Sequence, residues 1–127
     1  MIIVLLLVGL FAMFGGNGGE GLVKDIAKPV KQHVLDKTKA TQIIEINKEM
    51  LEAEAAFAKD VAKAKKQLAK LNGDRLAPEG EFDAVFTALA KKRTDTREGI
   101  IDRRFKIKEL MTAAEWNNVY AEECAPK

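Results

Sequence analysis

The sequence predicts an all-α protein: a long antiparallel helical hairpin, coiled-coil-like, with a short C-terminal third helix and an N-terminal hydrophobic helix. Three observations point there. Apolar residues after Gly21 recur at steps of three and four. A single strong breaker, Asn72-Gly73 followed by Pro78, divides the periodic region. Charged residues make up 31% of the chain and aromatics only 6%, a balance that favours long helices over a compact mixed fold.

The chain opens with residues 1–14, apolar or glycine throughout, then a glycine-rich hinge over 15–21. As a helix, Met1–Phe14 spans roughly 21 Å, short against a hydrocarbon core of about 30 Å. Its length suits the apolar region of a secretory signal, although no Lys or Arg precedes it. A buried core helix would need apolar neighbours on every face. Nothing in residues 22–123 needs this segment to complete a core. The expectation is therefore a membrane anchor or assembly helix first, and a cleaved signal second. Residues 22–123 form the hairpin domain, and 124–127 a tail.

The first long helix is expected over 22–71. Its seam runs through Ile43, Ile46, Met50, Ala53, Phe57, Val61, Ala64, Leu68 and Leu71. The double step of four around Phe57 and Val61 predicts a stutter. Ile26, Val30 and Val34 extend the stripe upstream, and Pro29 is tolerated in the first turns. Unbroken, this helix is roughly 75 Å long. Gly73 is expected to end it in the left-handed conformation. Pro78 opens the second helix, over 79–111, with Glu79, Glu81 and Asp83 at its positive pole.

That second helix carries Phe82, Phe86 and Leu89, then Ile100, Phe105, Ile107 and Leu110. Between the two groups the stripe lapses in "KKRTDTREG". A turn centred near Arg75 sets residues 91–105 against 45–59. Glu45, Glu49 and Glu52 then face Arg93, Arg97 and Arg104, an ion-pair belt in the manner of e/g pairing. A third helix is expected over 113–123, opened by Thr112 and Glu115 as a T-x-x-E capping box. The hairpin register carries Trp116 toward His33 and Val34, so this helix should cover the overhang of the first.

The segment Met111-Thr112-Ala113-Ala114-Glu115, behind an arginine-dotted helix, resembles the LTxxQ motif of the Spy/CpxP periplasmic stress family and its metal-sensor relatives. The likeness covers Phe82 to Tyr120. Met stands for Leu, Glu for Gln, and one copy of the motif is visible instead of two. It implies a hairpin that dimerises into a cradle and acts as an ATP-independent chaperone or an envelope stress or metal sensor.

The residue inventory narrows the chemistry. The chain has no serine, one histidine, His33, and one cysteine, Cys124. It lacks a phosphate loop, a CxxC pair and HExxH. No metal site is expected; His33 and Cys124 are weak candidates, with Cys124 or Met111 as the partner the third helix could bring near His33. The acids beside Cys124 raise a thiol pKa, and an intermolecular disulfide needs an oxidising compartment. Helix-surface carboxylates lack the desolvated cleft that acid–base catalysis needs. The expectation is no catalytic residue, no cofactor and no enzyme. The basic stretch 91–104 has no interleaved aromatics for base stacking, so nucleic acid is not expected.

Packing and contact fall to Ile43, Ile46, Met50, Phe57, Phe82, Phe86, Ile100, Phe105 and Trp116. A second stripe, Ile44, Leu51, Ile101 and Phe105, is expected to stay exposed and to drive self-association. The functional expectation is a membrane-tethered or exported protein that works by protein–protein contact, as envelope stress adaptor or client-binding chaperone. The alternative is a structural subunit of a larger assembly held by its apolar N-termini; a metal sensor is more distant. Partners are another copy of the chain, protein clients, and a bilayer through residues 1–14. Lys24, Lys28, Lys31, Lys37 and Lys39 follow the apolar run and favour a cytoplasmic hairpin. The family resemblance favours the periplasmic side of a bacterial envelope, and the balance leans that way.

Overall fold

A computed structural model describes residues 23–121, and no strand occurs among them. Four helices follow in order: α1 (Ala27–His33), α2 (Lys37–Gly73), α3 (Glu79–Leu110) and α4 (Ala113–Val119). The long pair, α2 and α3, forms the hairpin. The short pair packs at its open end: α1 lies on α2, and α4 lies on α1. The expected hydrophobic helix at the N-terminus and the last residues of the third helix lie outside the described residues.

The single helix expected over 22–71 is two helices. Asp36 has extended backbone, and its carboxylate accepts from the amides of Thr38 (3.0 Å) and Lys39 (3.1 Å). It is a full N-cap, and it starts α2 afresh. The reason lies in the apolar stripe upstream. As an overhang, Ile26, Val30 and Val34 would meet water. Folded back antiparallel on α2, they are 0%, 0% and 3% exposed. Leu35, at the reversal, is left 90% exposed.

The stripe on α2 also differs from expectation. Ala40, Ile43, Asn47, Met50, Glu54, Phe57, Val61, Ala64, Leu68 and Leu71 are all buried or half-buried. The steps alternate three and four without interruption, so there is no stutter. Two polar residues, Asn47 and Glu54, hold positions that the apolar pattern assigned to Ile46 and Ala53, which sit half-buried at the edge. On α3 the same rhythm runs through Phe82, Phe86, Leu89, Arg93, Thr96, Ile100, Arg103, Ile107 and Leu110. The lapse in "KKRTDTREG" is thus a polar stretch of an unbroken seam.

That stretch splits the core. At the base, Ile26, Val30, Val34, Ile43, Met50, Ile107, Met111 and Val119 belong to one buried cluster. Toward the tip, Phe57, Ala64 and Leu89 form a second, with Val61 and Val85 beside it. Among the described residues, the base is built from four segments and the tip from two.

The turn is made by Asp74. Its amide donates to the Leu71 carbonyl at 3.1 Å, and its side chain accepts from the Leu76 amide at 3.0 Å. Gly73 remains the last helical residue and takes no left-handed conformation, contrary to the expected stop. Pro78 serves as the N-cap of α3, one place before the expected first turn. The register shifts slightly too. Lys92 pairs with Asp60 and Arg103 with Glu49, and both pairs are centred on Leu76, not Arg75.

Candidate interaction face

At the base, Asn47 anchors the folded-back segment. Its Oδ1 accepts from the Ile26 amide at 3.1 Å, and its Nδ2 donates to the Lys24 carbonyl at 2.9 Å. The residue is 3% exposed and both ends of its amide are used. Two helical turns further on, Glu54 accepts from the Val23 amide at 3.0 Å. Apolar periodicity passes over such polar seam residues. The signal that can find them is an asparagine at the spacing of a buried position.

The capping box of α4 is complete. The Thr112 hydroxyl accepts from the Glu115 amide at 3.1 Å, and Glu115 Oε1 accepts from the Thr112 amide at 2.9 Å. The same oxygen meets Lys39 Nζ at 2.7 Å, which ties α4 to the first turn of α2. The Lys39 ammonium, with the Thr112 amide, holds the Glu115 carboxyl below its ordinary value of 4.5. A depressed folded-state pKa gives stability that is present above the ordinary value and lost as pH falls through the folded one. Docking of α4 should therefore weaken below about pH 4.5, with Trp116 emission as the readout. Glu115→Gln preserves a capping box and should remove this pH dependence.

Above α4 the surface is aromatic and cationic. The Trp116 and Tyr120 rings pack against each other at a tilt of 40°, with centroids 4.6 Å apart. The Arg104 guanidinium lies 5.1 Å from the Trp116 ring and 5.4 Å from Phe105, and Lys108 lies 5.7 Å from Phe105. Phe105 is 47% exposed and Ile101 44%. Helical register gives this stripe a basic edge, Arg97, Arg104 and Lys108, and an acidic edge, Glu98, Asp102 and Glu109. Of the expected second stripe, Ile44 and Leu51 are half-buried against the base core, which the folded-back segment completes. Only its α3 half stays open.

The residues expected to carry packing divide by position. Ile43, Met50 and Phe57 are buried; Ile46, Phe82, Phe86, Ile100 and Trp116 are half-buried; Phe105 is exposed. Of the expected belt, Glu49 pairs at 3.2 Å, with Arg103 as its partner. Arg93 sits half-buried in the seam, Arg104 turns to the aromatic face, and Glu45, Glu52 and Arg97 are exposed. Arg103 also donates from Nη1 to the Gly99 carbonyl at 3.1 Å. A Cβ on Gly99 would come within 3.0 Å of that nitrogen, so the glycine leaves room for the returning side chain. Partly exposed pairs of this kind contribute about 0–1 kcal/mol each.

His33 is exposed at the end of α1, whereas Met111 is buried in the core. Cys124 lies outside the described residues. Among the described residues no group of three His, Cys, Asp or Glu side chains could hold a metal, and no helix is long and apolar enough to cross a membrane. Fold and surface together define an all-α hairpin with a four-segment base. Comparison with protein-family models, curated proteins and solved structures finds no match.

Proposed function

We propose that this chain is a non-enzymatic hairpin protein, tethered to or exported across a bacterial membrane, that works by protein–protein contact as an envelope stress adaptor or client-binding chaperone. The observation that carries the reading is the exposed stripe of Ile101 and Phe105 beside the Trp116–Tyr120 pair. Large apolar groups left open beside paired cations suit contact with other polypeptides. The two charged edges favour protein over anionic lipid or nucleic acid, which would call for one sign. They also suit self-association, because a two-fold contact whose axis runs along the stripe sets the basic edge of one copy on the acidic edge of the other. Residues 1–14 supply the bilayer contact in this reading, and the LTxxQ-like segment supports the envelope side.

The test is suppression of aggregation of an unfolded client without ATP, read together with mass by light scattering. The native chain should suppress aggregation at equimolar ratio and should self-associate at tens of micromolar. Phe105→Glu should weaken client binding about tenfold, the scale of an aromatic hot spot. Its stability should change by no more than about 0.5 kcal/mol, because the position is on the surface. A native chain that leaves aggregation unchanged contradicts the chaperone reading.

A further inference from the structure

Charge divides the two faces of the hairpin. Residues 23–34 lie along one face, with Val23 at the level of Glu54 and Ile26 at the level of Asn47. That segment buries Val23, Ile26, Val30 and Val34, so Lys28 and Lys31 point away from the hairpin, and both are exposed. Helical register sets Lys37 and Lys48 of α2 toward the same face, and Arg97 and Arg104 of α3 with them. These residues are exposed as well. The described carboxylates on this face are Asp25, Glu54 and Asp83. Asp25 accepts from the Ala27 amide at 3.1 Å, and Glu54 holds Val23.

The opposite face is balanced. The same register gathers Glu49, Asp60, Asp95 and Asp102 there with Lys63, Lys70, Lys92 and Lys106. Both cross-helix ion pairs, Lys92 with Asp60 and Arg103 with Glu49, lie on that side. Glu45, Glu52 and Glu98 sit on the outer edges between the two faces. By contrast, Lys28, Lys31, Lys37, Lys48 and Arg97 make no ion pair among the described residues. A chain whose formal net charge is only +2 thus concentrates its surplus on one face.

We propose that this face binds the surface of an anionic lipid bilayer. Its cations are spread along the folded-back segment and both long helices, so the counter-charge must be extended. Lysines predominate, point charges without the bidentate geometry that arginine brings to fixed phosphates. They suit headgroups that diffuse to meet them. At the end of the segment Leu35 is 90% exposed, close in the chain to Lys31 and Lys37. An apolar side chain among cations suits headgroups over acyl chains, whereas a duplex offers it phosphate and sugar. The Ile101–Phe105 stripe carries both signs and suits protein; this face carries one. The contact goes beyond the proposed function and depends neither on the client reading nor on residues 1–14. With this face on lipid, the stripe stays at the outer edge of α3.

Co-sedimentation of the full chain with vesicles tests the proposal. Phosphatidylcholine vesicles read contact made without lipid charge; vesicles of equal parts phosphatidylcholine and phosphatidylglycerol add it. Binding at low salt should be about tenfold or more tighter on the mixed vesicles, and the excess should vanish at high salt. Lys48→Glu with Arg97→Glu should cut that excess by about tenfold. Lys28→Glu with Lys31→Glu should do the same from a separate segment. Lys63→Glu with Lys70→Glu makes a matched change in net charge on the opposite flank of α2, and should lower binding by no more than about threefold. Equal binding to both vesicle types overturns the proposal. So does an equal loss in the Lys63 and Lys70 variant, which would assign the effect to net charge and not to the face. A short DNA duplex that displaces the chain from mixed vesicles at equal phosphate also overturns it, in favour of nucleic acid. Aggregation suppression without vesicles reads the client role separately, so either result can fail alone.

Discussion

Replacing Ile26 with alanine is expected to destabilise the protein by about 2–5 kcal/mol, the range for truncating a buried aliphatic side chain. Ile26 is 0% exposed and belongs to the base core with Val30, Ile43, Ile107 and Val119. Domains of this size are stable by only about 5–15 kcal/mol, so the loss is a large share. The melting midpoint, followed by Trp116 emission, should fall by about 10 °C or more. The site discriminates between arrangements. On an unbroken helix over 22–71, Ile26 would project past the end of α3, and its truncation would cost no more than about 0.5 kcal/mol. Leu35→Ala is the matched control, because that residue is 90% exposed at the reversal and should change little.

The second large effect is expected at Asn47. Asn47→Leu keeps the branching and heavy-atom count but strands two backbone groups, the Ile26 amide and the Lys24 carbonyl. An unsatisfied buried polar group costs about 1–3 kcal/mol. Two such groups together cost about 2–6 kcal/mol if they stay buried. The response should then be local, because a released segment lets water satisfy both groups and caps the loss. Urea denaturation should show destabilisation of about 2 kcal/mol or more at the base. Hydrogen exchange should place the opening in 23–34 and α4, which touch each other, ahead of the α2–α3 tip. A uniform loss across both halves would show that the asparagine holds more than this segment.

The parts of the fold that were legible in the sequence are those set by local rules. The α2–α3 hairpin follows from apolar periodicity and the breaker near residue 73. The capping box at Thr112 and Glu115 needs only four residues, and both of its hydrogen bonds are present. The reversal at Val34–Asp36 was not legible by the same means. The stripe of Ile26, Val30 and Val34 continues the helical rhythm whether the helix runs on or turns back. The choice depends on what is available to bury it, which is a tertiary fact. Asp36 was a usable local sign, since an aspartate before "KTKA" can cap a fresh helix.

The seam shows the same limit from the other side. Asn47, Glu54, Arg93 and Arg103 occupy core-spaced positions that an apolar count skips, so the count found a stutter on α2 and a lapse on α3. Their polarity is accommodated by particular partners. For Asn47 these are backbone groups in the folded-back segment, and for Arg103 they are Glu49 and the Gly99 carbonyl. Such partners have no signature in spacing. The interaction face was partly legible, because Ile101 and Phe105 were expected to stay open. Arg104 was expected in an ion pair with α2 and instead lies over Trp116, a placement that depends on where α4 docks.

The arrangement of residues 23–34 against α2 is the point on which the base and both large mutational effects depend. A spin-label distance between Asp25→Cys and Lys48→Cys, in a Cys124→Ala background, tests it most directly. Both positions are exposed, so labels there should leave the core intact. The folded-back segment predicts a separation under about 20 Å, because packed neighbouring segments lie roughly 8–10 Å apart. A separation near 35 Å, the length of a continuous helix between those residues, would contradict it.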